Sequence, residues 1–394
     1  MNRYDAIVIG AGPAGCAAAL RLARQGHAVA LVDRARFPRA KVCGGCLGGV
    51  ALAELDALGL AETVQAIADP IHAMQLRCAG RAYRWPVPAM AAVRRDTFDA
   101  ALAAAAECAG ARWSDQTTAA ILDPGNDARP ALVELRHANH PPRTVEARAV
   151  VLADGLAGTA EPINRSAPAT PNAPDPRWSV APRARIGYGT VSYAPLNTPS
   201  QPPAVEPHTI AMSVGPAGYV GLAAARDGAT LMAAALDPAA IRAAASPTQA
   251  VLDTLAVAAP PPIAAAQSAL AERSTWRGTP TLSRHRRRLA WGRCIAIGDA
   301  ARYSEPFTGE GMAWALTAAR LAADPLDRAI RTNTPAALRD WPDLHRRHAR
   351  RRLAAAVLRR AVRHPAALAA ALRATAGAGP IARSVIQRIH PSAA

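Results

Sequence analysis

Residues 5–26 read DAIVIGAGPAGCAAALRLARQG and carry the clearest structural signal in the chain. A short run of β-branched and aliphatic residues, typical of a buried parallel strand, leads into Gly10, Gly12 and Gly15, and an alanine-rich helix follows. In such a strand–turn–helix unit the first glycine allows a tight turn, the second lets the backbone approach a pyrophosphate, and the third lets helix and strand pack closely. Asp33 ends the next apolar run, where an acid binds a ribose hydroxyl. The stretch therefore predicts a dinucleotide-binding βαβ unit.

The rest of the chain combines further parallel strands with an antiparallel block. The apolar runs at 147–155 and 293–301 are typical of buried parallel strands, whereas residues 71–87 alternate around a glycine as a hairpin does. This order predicts an α/β fold: a Rossmann-like nucleotide domain with an inserted antiparallel-sheet substrate domain and a C-terminal helical segment. The expected ranges are 1–70, 91–159 and 285–330 for the nucleotide domain, 71–90 and 160–284 for the substrate domain, with a loop over most of 160–207, and 331–394 for the helical region.

The composition favours a globular protein over a membrane-spanning, nucleic-acid-binding or disulfide-rich secreted one. The 394 residues are 51% hydrophobic and 19% charged, which fits a globular protein, and no apolar run reaches the ~18 residues of a membrane span. A net charge of +17 would suit nucleic acid, a membrane surface or an acidic protein, but only 4% of residues are aromatic and no nucleic-acid module is present. Six scattered cysteines do not resemble a secreted disulfide framework. We expect a cytoplasmic protein without a signal peptide that does not bind nucleic acid.

A second glycine-rich motif lies at residues 295–312. A strand runs into Gly298 and Asp299, and Gly309 and Gly311 then open a helix. Here the sequence resembles the FAD-dependent oxidoreductases with the p-hydroxybenzoate hydroxylase fold, a group that includes aromatic monooxygenases, halogenases and geranylgeranyl reductases. In this group the acid accepts a hydrogen bond from a ribityl hydroxyl, and the helix N-terminus faces the flavin where negative charge develops on reduction. The resemblance implies FAD as the cofactor.

Two more motifs extend the resemblance over residues 1–330, namely the Asp-Gly turn that ends VVLADG (150–155) and the helix that begins at Arg95. RARFPRAKVCGGCL (34–47) is most similar to the geranylgeranyl reductase branch, whose Lys-x-Cys-Gly pattern lies along the flavin. Lys41 is the only lysine in a chain that otherwise uses arginine, so we expect the cofactor pocket to hold it. The implied cofactor-binding residues are Gly10, Gly12, Pro13, Ala14, Gly15, Asp33, Arg34, Lys41, Gly44, Gly45, Leu47, Arg95, Asp154, Asp299, Gly309, Gly311 and Met312.

Cys43 and Cys46 form a C-x-x-C motif that has three interpretations. Cys43 is a flavin-proximal residue and Cys46 is incidental, or the two form a dithiol redox couple, or both only fill space. Disulfide reductases with a flavin normally have a second dinucleotide domain, and one glycine fingerprint is present. Zinc would need two further ligands at motif spacing, so no metal site is predicted.

Tyr219 and Cys43 are the candidate catalytic residues. Tyr219 lies in a Gly-Tyr pattern that resembles one in the same branch, but Leu222–Ala225 replaces the aromatic-x-x-Pro that should follow, which leaves the substrate open. Tyr83 and Trp276 are candidates to line a substrate cavity. Glu310, at a helix start, is either a proton donor near the flavin or an acid that complements the helix dipole.

Residues 345–363, HRRHARRRLAAAVLRRAVR, carry eight arginines and no acid, with apolar residues at four-residue spacing. This pattern predicts a basic amphipathic helix. Such a helix suits an anionic membrane surface or an acidic acyl-carrier protein, or it is a solvated face.

Taken together, the motifs predict an FAD-dependent oxidoreductase for a hydrophobic or carrier-bound substrate of lipid or secondary metabolism. The reaction is a double-bond reduction or dehydrogenation, or an oxygenation, because the flavin supports each of them. NAD(P)H is the expected transient electron donor. The alternatives are a flavin-dependent monooxygenase or halogenase and, outside enzymes, a flavin-binding partner-docking protein. Halogenases of this fold use a lysine in a tunnel beyond the flavin, whereas Lys41 matches the cofactor loop.

Overall fold

A computed structural model describes residues 3–158, 175, 177–181, 184–192, 205–226, 228–258, 261–272, 274–305, 307, 309–350 and 360–375. The loop expected over 160–207 lies largely outside these residues, as do parts of the predicted substrate domain and of the C-terminal region. In the described part no helix is long and apolar enough to cross a membrane.

The first sheet contains eight strands among the described residues, in the order β17-β18-β9-β1-β2-β6, with β7 and β8 attached beside β9. β1 pairs in parallel with β2 and β9, as the glycine motif predicts. The β7–β8 hairpin was not predicted from the sequence. The strands are β1 (Arg3–Ile9), β2 (Val29–Val32), β6 (Arg112–Ser114), β7 (Thr117–Asp123), β8 (Ala131–His137), β9 (Arg143–Leu152), β17 (Ala290–Trp291) and β18 (Cys294–Ala296).

Three helices cover one face of this sheet, because their apolar faces need a partner. They are α1 (Pro13–Arg24), α4 (Arg95–Cys108) and α8 (Gly311–Thr332). Leu20, Phe98 and Leu316 of these helices are buried in one core with Val8 and Leu31 of the sheet. Two shorter helices, α2 (Gly49–Asp56) and α3 (Ala61–Ile67), follow β3, and Gly59 with φ +64° lies in the turn that separates them.

The second sheet has eight described strands, in the order β15-β11-β14-β13-β12-β4-β5-β3. β4 and β5 form the predicted hairpin, and every pairing is antiparallel except that of β12 with β4. The strands are β3 (Cys46–Leu47), β4 (Asp69–Cys78), β5 (Arg81–Ala92), β11 (Ile186–Ser192), β12 (Thr209–Gly215), β13 (Gly218–Ala224), β14 (Thr230–Leu236) and β15 (Arg277–Thr281). β3 pairs with β5 of this second sheet, although the predicted range 1–70 places it in the nucleotide domain. The domain ranges stay a prediction.

The remaining elements cover the second sheet and its edges. Three helices follow β14 in the chain, namely α5 (Pro238–Ala243), α6 (Pro247–Ala258) and α7 (Pro261–Glu272), and α6 packs on β12 and β13 at one face of the sheet. A small sheet joins β10 (Trp178–Val180), β16 (Arg284–Arg286) and β19 (Arg302–Tyr303). α9 (Trp341–Arg350) and α10 (Pro365–Thr375) end the described chain. Val362 and Leu368 pack into the core on the other face, beside Leu76 of β4.

Candidate functional site

The glycine turn between β1 and α1 is built by close backbone contacts. A Cβ at Gly10, which has φ +103°, would lie 2.4 Å from the Ala153 carbonyl oxygen, and a Cβ at Gly15 would lie 1.8 Å from the Gly10 oxygen. Gly12 differs, because a Cβ there would meet only the Arg39 and Arg95 guanidinium groups, each at 3.9 Å. Gly10 and Gly15 therefore shape the turn, whereas Gly12 leaves its backbone open between two cations.

A cavity of about 520 Å³, here called the polar cavity, lies at the carboxyl ends of β1, β2 and β9 beside the N-terminus of α1. This is where doubly wound sheets bind nucleotides. Ten of the predicted cofactor residues line it, namely Gly10, Gly12, Pro13, Ala14, Asp33, Arg34, Lys41, Arg95, Asp154 and Asp299. Gly15 is not among the lining residues, in keeping with its contact inside the turn.

Asp33 holds the end of β2 against the turn. Its carboxylate accepts hydrogen bonds from the backbone N–H of Ala11 and of Ala35, both at 2.9 Å. Arg39 lies 3.5 Å from the same carboxylate. The acid predicted to bind a ribose therefore also fixes the loop that follows β2.

Two arginines share one buried acid in the wall of the polar cavity. Arg95 donates two hydrogen bonds of 2.8 Å to Asp99, and Arg39 lies 3.0 Å from the same fully buried carboxylate. Burial disfavours the charge on Arg95, but Asp99 and then the Cys43 sulfur raise its pKa above the usual value. The sequence reasoning missed Arg39 and Asp99. The four-residue spacing from Arg95 could have indicated Asp99, whereas nothing distinguishes Arg39 from 44 other arginines.

Lys41 lies where the polar cavity adjoins a second, apolar cavity, and it lines both. Its Nζ is 3.3 Å from the position of a Cβ at Gly155, in the Asp-Gly turn after β9. Desolvation, and then the charges of Arg95 and Arg39, lower the pKa of Lys41 from its usual value. Three cations thus surround the Gly12 backbone and this junction.

The apolar cavity, of about 360 Å³, lies between the glycine loop at 43–46, the second sheet and the N-terminus of α8. Met74, Ile210, Met212 and Phe307 supply apolar walls, and small residues of β13 and β14 such as Gly221 widen it. The predicted site residues that line it, besides those shared with the polar cavity, are Cys43, Gly44, Tyr219, Gly309, Gly311 and Met312.

Gly45 and Leu47 were predicted to bind the cofactor, but neither lines the polar or the apolar cavity. Gly45 has φ +70°, and a Cβ there would lie 2.4 Å from the Val93 oxygen, so it shapes the loop. Leu47 is fully buried in the core that includes Phe98. Both residues therefore support the loop at residues 43–46 without contacting either cavity.

Cys43 and Cys46 both line the apolar cavity, but their sulfurs have opposite hydrogen-bonding roles. The Cys43 sulfur accepts from the Gly45 N–H at 3.4 Å and also interacts with Arg95. The Cys46 thiol donates to the Gly44 oxygen at 3.3 Å. Burial, and then the neighbouring Cys43, raise the pKa of Cys46 to about 12. Both cysteines are free thiols in the structure.

Three further candidates do not line either cavity. Tyr83 bonds to the Ala369 oxygen of α10 at 3.5 Å, and Trp276 packs against the core beneath α6 and α7. Neither aromatic residue lines the polar or the apolar cavity, because each packs against a helix instead. Glu310 directly precedes α8 and does not line either cavity. Among the described residues no group of three or more His, Cys, Asp or Glu side chains is placed to hold a metal.

The residues at the polar cavity fit the pyrophosphate of FAD. The Gly12 backbone is open to the cavity, the N-terminus of α1 points at it, and Arg39, Arg95 and Lys41 provide positive charge. The helix N-terminus of α8 and Asp299 are placed at the apolar cavity, as the second motif predicts. The chain can therefore hold a dinucleotide with its redox-active end beside the apolar walls.

Comparison with known proteins agrees with this fit. Residues 3–170 match the family model described as an FAD binding domain. A menaquinone reductase from Mycolicibacterium smegmatis is 35% identical over 166 residues, which cover 40% of this chain and only 39% of that protein.

Solved flavoprotein structures are similar over most of the chain. The flavin-dependent brominase Bmp2 superposes with a TM-score of 0.76 at 15% identity, covering 99% of this chain and 94% of that one. A geranylgeranyl bacteriochlorophyll reductase-like protein from Thermoplasma acidophilum superposes with a TM-score of 0.69 at 18% identity, covering 92% and 88%. Residues 3–170 are therefore similar to an FAD binding domain, and the chain has the fold of these flavoproteins.

Proposed function

We propose that the protein is an FAD-dependent oxidoreductase that acts on a hydrophobic or carrier-bound substrate of lipid or secondary metabolism. The observation that carries this proposal is the apolar cavity, which adjoins the polar cavity at Lys41, Arg95 and Asp299. FAD supplies two-electron redox chemistry when bound. The reaction is a double-bond reduction or dehydrogenation, or an oxygenation.

The residues of this chain bind the cofactor and exclude water from the substrate. Gly12, Arg39, Arg95 and Lys41 would hold the phosphates of FAD, and Asp299 would contact its ribityl chain, because these residues line the polar cavity. The apolar walls strip water from an apolar substrate, whose burial contributes roughly 25 cal/mol per Å². The names of two similar proteins, a menaquinone reductase and a geranylgeranyl bacteriochlorophyll reductase-like protein, support a substrate with an apolar body.

Cys43 is proposed as a catalytic residue at the wall of the apolar cavity. Its sulfur accepts a hydrogen bond from the Gly45 N–H at 3.4 Å and interacts with Arg95, and these contacts fix its position. Cys46 points its proton at a carbonyl oxygen and stays a thiol. This difference favours separate roles over a dithiol couple.

The proposed electron donor is NAD(P)H, bound transiently. The exposed basic residues of this C-terminal stretch are proposed to contact an anionic membrane surface or an acidic carrier protein that delivers the substrate, whereas Arg363 pairs with Glu305. Arg346 and Arg347 are exposed on α9, whereas residues 351–359 lie outside the described part of the chain.

The test begins with the purified protein, which should be yellow and should release FAD, not FMN, on denaturation. A colourless protein that takes up no added FAD would contradict the proposal. NAD(P)H consumption with apolar candidate substrates then separates an enzyme from a flavin-binding docking protein. Oxygen uptake coupled to substrate would identify an oxygenase, and substrate-dependent turnover without oxygen would identify a reductase. Halide incorporation would identify the halogenase alternative.

A further inference from the structure

Four charged side chains form a closed network beside the wall of the apolar cavity, here called the charge network. Arg185 donates to Glu305 at 3.0 Å and to Asp237 at 3.2 Å. Arg363 lies 3.4 Å from the other carboxyl oxygen of Glu305 and 4.0 Å from Asp237. Each acid therefore contacts both arginines, although the four residues are far apart in the sequence.

The charge network contacts two aromatic residues that line the apolar cavity, Tyr219 and Phe307. The Arg185 guanidinium lies 5.6 Å from the centre of the Tyr219 ring, which packs edge-on against Phe307 at 4.9 Å between ring centroids. The Phe307 N–H donates to the Glu305 carbonyl oxygen at 3.2 Å, and the Glu305 N–H donates to the Ser283 hydroxyl oxygen at 3.1 Å. The side chain of Glu305 therefore anchors a short backbone segment that carries Phe307 into the cavity wall.

Arg363 brings the C-terminal region into the charge network. Val362 packs into the core that contains both aromatic residues, and the Pro365 oxygen accepts a hydrogen bond from the Cys78 thiol at 3.1 Å, so the neighbours of Arg363 on both sides are held in place. The Arg363 side chain is 29% exposed, whereas that of Glu305 is 3% exposed. Removal of Arg363 leaves Glu305 paired with the other arginine, so no buried charge loses its last partner.

From this geometry we propose that Arg363 is a positioning residue for the apolar cavity. Through Glu305 it fixes the place of Phe307, so the shape of the substrate wall depends on the docking of the C-terminal region. The inference rests on the proposed function, because it concerns the wall that meets the substrate. An isolated ion pair at a surface contributes little, but a pair that closes a network restrains several side chains together.

The first experiment measures binding of naphthol, an apolar aromatic probe, to the FAD-loaded protein as a change in the visible flavin spectrum. Phe307→Ala should weaken naphthol binding about tenfold, because an aromatic contact is lost. Arg363→Gln should weaken it about three- to fivefold, the value of one ion pair at a partly exposed position. Because Arg363 acts through Phe307, the double variant should bind no more weakly than Phe307→Ala alone, and a general loss of stability would not produce this non-additivity.

The second experiment follows amide hydrogen exchange of the FAD-loaded protein without a probe. Arg363→Gln should speed exchange several-fold in the peptide that contains Glu305 and Phe307, because their backbone hydrogen bonds then open more often. Arg363→Lys, which keeps the positive charge, should restore part of the parent behaviour in both experiments.

Two matched controls remove one arginine each without touching the charge network. Arg339→Gln breaks an ion pair of 2.9 Å with Asp127, and neither residue lines a cavity described above. Arg360→Gln removes the same charge at an exposed position three residues before Arg363. Both variants should keep the parent's naphthol binding and exchange rates.

Three results would overturn the proposal: parent-like exchange in Arg363→Gln, parent-like naphthol binding in Phe307→Ala, or the same weakening by Arg363→Gln with and without the Phe307 ring. If Phe307→Ala does not fold, the exchange measurement and its controls decide the matter. A parent that binds FAD but no naphthol would contradict the proposed function, and exchange would still test Arg363. Naphthol binding with additive effects would contradict this inference alone, so the two failures are distinguishable.

Discussion

The polar and apolar cavities adjoin each other but are built in different ways. The polar cavity is made by backbone geometry and fixed charges, with Gly10 and Gly15 in close contact and Arg95 paired with Asp99. The apolar cavity exists because small side chains leave space in its wall. Gly221 and the alanines of β14 line it together with the larger Met74 and Phe307. Cofactor binding therefore depends on a few irreplaceable positions, whereas substrate choice depends on the summed shape of many replaceable ones.

Substitution of Gly15 and of Gly12 in the turn should have the largest effects, on folding and on FAD binding respectively. Gly15→Ala should unfold the nucleotide domain, since its Cβ would stand 1.8 Å from the Gly10 oxygen, a clash that costs more than about 4 kcal/mol. Gly12→Ala should fold normally and lose FAD, because its Cβ meets only arginine side chains at 3.9 Å. Apo-protein melting and FAD titration check the pair. Full FAD affinity in Gly12→Ala would mean that the pyrophosphate lies elsewhere.

Asp299 lies where the two cavities meet, so its removal tests their connection. Asp299→Ala should weaken FAD binding about 10- to 150-fold, the value of a charge-assisted hydrogen bond of about 1.5–3 kcal/mol. Apo-protein melting should change much less. Asp324→Ala, at an exposed position on α8, is the matched control. Unchanged FAD affinity would show that the Gly-Asp motif has been assigned the wrong role.

Cys43 and Cys46 both line the apolar cavity but should differ in reactivity. Because the pKa of Cys46 is about 12, its thiolate fraction at pH 8 is about 10⁻⁴, so iodoacetamide should label Cys43 first. The holoprotein should take up two electrons in an anaerobic titration, and Cys43→Ser should alter the flavin spectrum more than Cys46→Ser. Uptake of about four electrons, lost in both variants, would establish a dithiol couple instead.

The same pKa shift predicts a pH dependence of stability. The folded protein keeps the Cys46 proton up to about pH 12, whereas the unfolded chain loses it from its ordinary value of 9.0 upwards. The folded state thus binds more protons between these values, and the free energy of unfolding falls as pH rises through this window. Cys46→Ala should reduce that fall in alkaline unfolding measurements.

Substitutions in the basic C-terminal stretch should have the smallest effect on the two cavities. Changing Arg346, Arg347, Arg350, Arg351 and Arg352 together to Gln should weaken binding to anionic vesicles or an acidic carrier protein several-fold at low salt, with the flavin spectrum unchanged. Co-sedimentation with vesicles measures this effect. If the parent does not bind even at low salt, the arginines are a solvated face.

The sequence predicted the parts of this molecule that depend on backbone constraint. The glycine turn, Asp33 and the β4–β5 hairpin each have a local signature, and the structure contains all three. Tyr83 and Trp276 do not line either cavity, and the sequence could not show this, because an aromatic residue has the same local signature whether it packs in a core or lines a cavity. Arg185 and Glu305 had no signature at all, since their pairing joins residues 120 positions apart.

The contact of Arg363 with Glu305 also bears on how the protein is made. Synthesis proceeds from the N-terminus, and domains fold as their residues emerge. The last described residue that lines either cavity is Ala315. Glu305 acquires its second guanidinium only when residue 363 has emerged. The described lining residues of both cavities are therefore all synthesised before this ion pair can form.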